Sequence, residues 1–185
     1  MQSRIPRQSA GEQDARRPDH PDHPDRTDHD DRLGPGLAAV VSGARRRAVR
    51  DGDRQIDTAH LLHSLLEYDP EVGAVLGDGP QMSRLLGYLV QRSIGYGLRW
   101  QGTVEDSGAV PVVKEAAGFS PSAATAVDRA CERAVRRGAA RAGGVDLLAA
   151  LVADPGTRAV EVLGRAGVDP QALLARVDGH AEPRA

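Results

Sequence analysis

The feature that most constrains the fold of this 185-residue chain is an internal repeat, because the second half restarts the first at an offset of 86 residues. Apolar residues and turn glycines recur in kind at this offset. The matching pairs are Leu37 and Ala123, Val41 and Val127, Ala44 and Ala130, Ala48 and Ala134, Gly52 and Gly138, Leu61 and Leu147, Leu62 and Leu148, and Leu65 and Leu151. The offset drifts later, although Pro80 still corresponds to Pro170. Since each unit needs its copy to cover its apolar face, we predict one domain made of two tandem units.

Each unit has the pattern of four helices. In the first unit, apolar residues at helical spacing lead to Gly52, which predicts a C-terminal cap. The next helix takes Asp57 or Thr58 as its N-cap and ends before Pro70. A short helix ended by glycines follows, and Pro80 opens the fourth at a first-turn position. The fold class predicted is all-α, with two tandem four-helix repeats related by pseudo-twofold symmetry.

The flanking and connecting segments have a different composition. The segment RRPDHPDHPDRTDHDDR repeats a Pro-Asp-His unit and has no leucine, valine or isoleucine to bury. The stretch between the units is rich in glycine, and we expect Trp100 within it to fold back on the helices. The predicted division is 1–32 disordered tail, 33–93 repeat one, 94–118 loop, 119–178 repeat two (33–178 being the domain) and 179–185 C-terminal tail.

Charge and composition exclude several classes of function. A formal net charge of −2 gives no field that would attract nucleic acid or an anionic membrane. Low aromatic content argues against single-strand binding. The single cysteine, Cys131, allows no internal disulfide and lies on an apolar helix stripe, which predicts core packing. We expect a cytoplasmic protein without a cofactor, a nucleic-acid partner or a membrane partner.

Two long stretches resemble the amino-terminal domain of Clp-type AAA+ unfoldases (the ClpA and ClpC group). They are ARRRAVRDGDRQIDTAHLLHSLLEYDP and FSPSAATAVDRACERAVRRGAARAGGVDLLAALVADPGTRAVEVLGRAGVDPQALLARV. That family starts the second helix of each repeat with a Thr-Glu-His-Leu-Leu-like motif and later has a Leu-…-Gly-Val-Asp turn. The matching residues are Thr58, His60, Leu61 and Leu62 for the helix start, and Leu163, Gly167, Val168 and Asp169 for the turn. The resemblance runs from Leu33 to Val177.

The resemblance implies a non-enzymatic protein-binding module. In the family this domain precedes ATPase modules and receives substrates or adaptor proteins. The present sequence has no G-x-x-x-x-G-K-[ST], and its one lysine, Lys114, lies in VVKEA rather than in a phosphate-binding loop. We therefore expect a stand-alone Clp-repeat protein that acts as an adaptor, decoy or regulator of Clp proteolysis. Its partners would be proteins or peptides: Clp ATPase or protease components, adaptors or substrates.

Family positions also nominate partner-binding residues. These are Thr58, Ala59 and His60 in repeat one, and Gly144, Val145 and Asp146 in repeat two. Some relatives hold phosphorylated arginine with the glutamate of each Thr-Glu-His start. Ala59 and Val145 occupy those two positions here, and neither side chain can accept a guanidinium group. The resemblance thus predicts a retained fold with changed or lost recognition of phosphoarginine.

The alternative is a metal-binding protein or a metal-dependent hydrolase. Asp57, His60, His63 and Glu67 recur at helical spacing, as metal ligands or acid–base groups would. On a helical wheel, however, His60, His63 and Glu67 lie opposite the leucine face, which predicts that they point to solvent or to a partner.

A second metal hypothesis uses His20, His23 and His29 of the tail with neighbouring aspartates. The run Arg45–Arg47 with Arg50 has two interpretations. It is either a solvated helix face or a contact for an acidic patch on a partner.

Overall fold

A computed structural model describes residues 31–77, 79–93, 105 and 118–181 of the chain. Most of the predicted N-terminal tail, most of the predicted loop with Trp100, and the last four residues lie outside the described part. Within that part the structure is all-α, and its only extended pairings are two isolated bridges. The helices are α1 Pro35–Asp51, α2 Thr58–Tyr68, α3 Pro70–Leu76, α4 Pro80–Ser93, α5 Pro121–Arg136, α6 Gly144–Val152, α7 Arg158–Arg165 and α8 Pro170–Ala181.

The helices begin and end where local sequence signals place them. Asp57 is the N-cap of α2, and its carboxylate accepts the His60 N–H at 2.9 Å. Ser120 caps α5 by accepting the Ala123 N–H at 3.2 Å. Gly52 closes α1 with φ of 74°, a left-handed conformation that costs glycine little. The predicted helix starts and caps are confirmed.

The eight helices share one core. The most extensive packing is α1 on α2 in the first half and α5 on α6 in the second. Contacts of α2 with α7, of α4 with α7 and of α3 with α8 join the halves. Leucine dominates the buried side chains, and the fully buried large ones are Leu37, Ile56, Leu61, Leu62, Leu65, Leu85, Leu89, Leu147, Leu148, Leu151, Leu163 and Leu173. Because this core takes leucines from both halves, and burying each contributes about 1.5–3 kcal/mol of transfer free energy, it favours packing of the halves on each other.

Two isolated β-bridges connect the halves in a reciprocal way. Leu33 bridges to Ala142, and Ile56 bridges to Phe119. In each bridge the start of one half pairs with the residue just before the N-cap of the second helix of the other half. The Gly34 N–H donates to the Ala142 carbonyl at 2.9 Å, and the Ser120 N–H donates to the Ile56 carbonyl at 2.8 Å. A twofold relation would produce this reciprocity, and the symmetry itself stays a prediction.

The last helix continues beyond the predicted domain end at residue 178. It reaches Ala181, because Val177 is buried and polar contacts hold the final turn. Asp178 pairs with Arg133 at 2.8 Å, and His180 lies 3.2 Å from Glu71. The wider division into tails, loop and repeats stays a prediction. None of the helices in the described part is both long and apolar enough to cross a membrane.

Candidate functional site

The six residues nominated by family position all lie in the first turns of α2 and α6, and all are buried. They are Thr58, Ala59, His60, Gly144, Val145 and Asp146. The prediction that His60 faces solvent is wrong, because its side chain is only 1% exposed. A helical wheel accounts for packing against one face, whereas this turn is also covered by the end of α1 and by the loop after it. Contact of these six residues with a partner stays a prediction.

His60 lies inside a cage of carboxylates. Its Nε2 is 3.2 Å from Asp53 Oδ2 and 3.7 Å from Asp51 Oδ2, and its Nδ1 is 2.9 Å from Asp57 Oδ1. Burial by itself lowers the pKa of His60, but the nearby carboxylates of Asp51, Asp53 and Asp57 outweigh burial and raise the pKa to about 10. The ring is therefore a buried cation at neutral pH.

The proton on Nδ1 decides which hydrogen bond that nitrogen makes. The Asp57 N–H lies 3.1 Å from Nδ1 and would donate to it in the neutral ring. In the charged ring, Nδ1–H instead donates to Asp57 Oδ1. The charged form is favoured because three carboxylates lie close to the ring, and a positive charge there offsets part of their mutual repulsion.

The second repeat carries the same arrangement with its charges reversed. Asp146 occupies the position of His60, and Arg137 occupies that of Asp51, both at the offset of 86. Arg137 donates two hydrogen bonds to Asp146, at 2.9 and 2.7 Å. Asp146 also accepts the Gly143 N–H at 2.9 Å, which caps α6. Each repeat thus joins the end of its first helix to the start of its second through opposite charges.

A buried ion pair connects the two halves at the same level. Arg158, the first residue of α7, places Nη1 2.6 Å from Asp57 Oδ2, and the two side chains are 9% and 2% exposed. Asp57 therefore caps α2 with one oxygen and holds α7 with the other. Because both charges are desolvated, losing either residue would leave the other buried without this ion-pair partner.

Glu105 is the polar residue at this site that sequence reasoning missed. Its carboxylate accepts hydrogen bonds from the Thr58 N–H and hydroxyl, the Ser120 hydroxyl and the Arg158 N–H. The residue is 6% exposed and reaches the helix starts from the middle of the predicted loop. No periodicity or motif surrounds it in the sequence, so no local signal could have identified it.

The starts of α2 and α6 differ at the position that Thr58 occupies in repeat one. Gly144 takes that position in repeat two, and a Cβ there would lie 1.9 Å from Asp69 Oδ2. Asp69 is the N-cap of α3, and its other oxygen accepts the Glu71 and Val72 N–H groups. Thr58 therefore anchors a carboxylate from the loop, whereas Gly144 makes room for one from repeat one.

The proposed metal cluster of Asp57, His60, His63 and Glu67 does not assemble. Among the described residues, the group close enough to share an ion is Asp53, Asp57 and His60. The Arg158 guanidinium already lies against Asp57 in that group and supplies the positive charge that a metal ion would bring. The structure therefore gives no support to a metal-dependent hydrolase, and His20, His23 and His29 lie outside the described residues.

His63 and Glu67 belong to the outer side of α2. His63 is partly buried, and burial together with the nearby Arg47 charge lowers its pKa to about 4. Glu67 is exposed and pairs with Arg47. His63 and Glu67 agree better than His60 with the prediction that these side chains lie opposite the leucine face, because they are further from the crowded start of the helix.

The arginine run is partly used in packing within the chain. Arg46 donates to the Tyr68 hydroxyl at 3.1 Å and lies 5.9 Å from the ring centroid. Arg46 and Arg50 remain exposed. Cys131 is buried, and burial raises the pKa of its thiol, as expected for core packing rather than nucleophilic chemistry.

The helix order, the single leucine core and the paired helix starts define the class: an all-α domain in which two groups of helices share one core. Residues 118–183 match the family described as Clp repeat (R) N-terminal domain. The predicted resemblance to Clp N-terminal domains is confirmed.

Solved structures extend the likeness over both halves. The N-terminal domain of the caseinolytic protease associated chaperone ClpD from Arabidopsis thaliana aligns with a TM-score of 0.59 and 20% identity, over 80% of this chain and 94% of that chain. A chain from structural work on a malarial protein secretion system aligns with a TM-score of 0.59 and 14% identity, over 82% of this chain and 95% of that chain. At such identities the likeness shows the fold. The sequence has no significant match among curated proteins.

Proposed function

We propose that this chain is an adaptor, decoy or regulator that works with, or competes with, a Clp unfoldase–protease system. One observation carries the proposal: a Clp repeat domain at residues 118–183 lies within a fold that matches a Clp chaperone N-terminal domain. That domain is a non-catalytic protein-binding module of Clp chaperones. A cytoplasmic location goes with this proposal, because the single thiol of Cys131 suits a reducing compartment.

The electrostatics of the helix starts support a binding module rather than an enzyme. The ionisable side chains most suited to catalysis pair with one another inside the protein: His60 with three aspartates, Asp57 with Arg158, and Asp146 with Arg137. A general base or nucleophile needs access to a substrate atom, which these pairs do not offer.

We further propose that the six residues nominated by family position act indirectly on a partner. They fix how the starts of α2 and α6 meet the other half, and so fix the surface that the helices present. The side chains of Ala59 and Val145 also leave no carboxylate where relatives keep one. Recognition of a guanidinium group is therefore not part of the proposal.

A degradation assay with the purified Clp ATPase and peptidase of the same host tests the proposal. An adaptor will accelerate degradation of a bound substrate, and a decoy will slow it, while the chain itself stays intact. The control is Leu148→Asp, which places a charge at a fully buried core position and unfolds the domain. An unfolded chain competes only as a substrate and is itself degraded, so the two effects are distinguishable.

A pull-down from host lysate with the full chain as bait complements the assay. We expect enrichment of Clp subunits, their adaptors or their substrates over the Leu148→Asp bait. If none of these is enriched and degradation is unchanged at a large molar excess of the chain, the proposal is wrong.

A further inference from the structure

The carboxylate of Glu105 has its hydrogen-bonding capacity filled by the protein. Oε1 accepts from the Arg158 N–H at 2.7 Å and from the Thr58 hydroxyl. Oε2 accepts from the Thr58 N–H at 2.8 Å and from the Ser120 hydroxyl at 3.0 Å. An ionised carboxylate has about four lone-pair sites, two on each oxygen. The donors thus match the number and division of acceptor sites in a carboxylate.

The donors come from helix starts that belong to both halves. Thr58 is the first residue of α2, Arg158 is the first residue of α7, and Ser120 is the N-cap of α5. The amide dipoles of α2 and α7 concentrate partial positive charge at these positions. The Arg158 guanidinium is directed to Asp57 instead. In the described part of the chain, the four groups that hold Glu105 are all neutral.

Both hydroxyl oxygens also accept a backbone N–H, which orients the hydroxyl groups. Thr58 Oγ1 accepts the Ala159 N–H at 3.1 Å, and Ser120 Oγ accepts the Ala123 N–H at 3.2 Å. Each hydroxyl oxygen therefore has its proton free to point at Glu105. Such preorganisation reduces the ordering cost of binding, because the donors need not rearrange around the ligand.

The number and charge of the donors select a class of ligand. Two neutral donors for each of two oxygens suit a planar monoanion. A phosphate has a third acceptor oxygen and a larger charge, and it is normally met by arginine or lysine. A carboxylate is the anion that this set of groups satisfies completely.

We propose that the junction of α2, α5 and α7 is a carboxylate-binding site, which Glu105 occupies in the free protein and which a carboxylate of a partner peptide takes in its place. This inference rests on the proposed function, since it names the chemical group that a protein partner would present. Both a peptide C-terminus and an acidic side chain carry that group. Because Glu105 belongs to the same chain, it competes without the loss of translational and rotational freedom that a separate molecule pays, so a partner needs additional contacts to displace it.

The first experiment empties the site with Glu105→Ala in the full chain. Acetate is the probe, and the amide NMR signals of Thr58, Arg158 and Ala159 report binding, with sodium chloride at equal ionic strength as the control. We expect saturable shifts in the millimolar range, and binding about tenfold weaker in the wild type, where Glu105 competes. In Glu105→Ala/Ser120→Ala, loss of one donor to a charged acceptor should weaken acetate binding about tenfold or more.

Three N-acetylated tripeptides then distinguish the sources of the carboxylate. They are trialanine with a free C-terminus, its C-terminal amide, and Ala-Glu-Ala amide. The two peptides with a carboxylate should bind Glu105→Ala more tightly than acetate does, and the trialanine amide should not bind. The site then accepts the carboxylate of a C-terminus, of an acidic side chain or of both, according to which peptide binds more tightly than acetate.

Several results would overturn the proposal. These are unchanged Thr58 and Arg158 signals with acetate, equal acetate affinity in the wild type, tighter binding of inorganic phosphate than of acetate, and no gain from either acidic peptide. If Glu105→Ala does not fold, recovery of its far-UV circular dichroism by acetate but not by chloride replaces the titration, and failure to recover counts against the site. No Clp component is needed here, so a negative pull-down together with acetate binding would refute only the proposed function.

Discussion

Replacing Arg158 by methionine, Arg158→Met, removes one partner of the buried ion pair between the halves. Its Nη1 lies 2.6 Å from Asp57 Oδ2, with the two side chains 9% and 2% exposed. Two unit charges about 4 Å apart attract by about 4 kcal/mol at an effective dielectric constant of 20, and breaking a buried pair from one side costs about 3–5 kcal/mol. Because the His60 cation stays beside Asp57, we expect the lower end, about 3 kcal/mol of unfolding free energy. Methionine keeps most of the apolar part of the arginine side chain, so the loss of unfolding free energy reports mainly the removal of the charge.

Urea unfolding of the full chain, followed by far-UV circular dichroism at pH 7, measures this loss. Asp57→Asn serves as the second arm of a double-mutant cycle, since its amide oxygen can still cap α2 by accepting the His60 N–H. The double variant should lose less than the two single losses combined, with a coupling energy of about 1.5 kcal/mol or more. A loss below about 1 kcal/mol for Arg158→Met, or strict additivity in the cycle, would refute the assignment of a buried and mutually dependent pair.

Three further predictions address the helix starts and the core. The pKa of His60 is raised from 6.5 to about 10 in the folded state, so its stabilising effect is complete below pH 6.5 and is lost as pH rises towards 10. The urea midpoint should therefore fall between pH 7 and 10, less steeply in His60→Gln; equal slopes would contradict a buried imidazolium. Gly144→Ala should destabilise the protein by about 1–3 kcal/mol, since the added Cβ would lie 1.9 Å from Asp69 Oδ2. The matched control Gly73→Ala, with open space at its Cβ, should be neutral or stabilising by up to about 1 kcal/mol, and equal urea midpoints would reject the steric explanation. Cys131 should react slowly with Ellman's reagent in the native protein and rapidly in urea, because the thiol is buried and its pKa raised; fast native labelling would show that it is accessible.

Helix positions were predictable from the sequence because their causes are local. Asp57 and Ser120 cap the helices they precede, and Gly52 adopts the left-handed conformation that ends α1. Each of these signals acts over three or four residues. The spacing of the leucines then places one apolar face on each helix, and repetition of that pattern indicated a shared core.

The position of His60 was not predictable from its own helix. A wheel placed it opposite the leucines, whereas Asp51, Asp53 and Asp57 surround it in the structure. One signal in the sequence could have warned of this. At the repeat offset, His60 and Asp51 correspond to Asp146 and Arg137, which keeps opposite charges at both positions while reversing their signs.

By itself, the sequence determined the helices, their caps, the leucine core and the resemblance to Clp N-terminal domains, because periodicity and capping depend on neighbours in the chain. The tertiary structure decided which polar groups meet. It brought Arg158 to Asp57 across 101 positions and Glu105 to the starts of α2 and α7. Those contacts depend on how the two halves dock, and no local pattern encodes a carboxylate that reaches its donors from a distant loop.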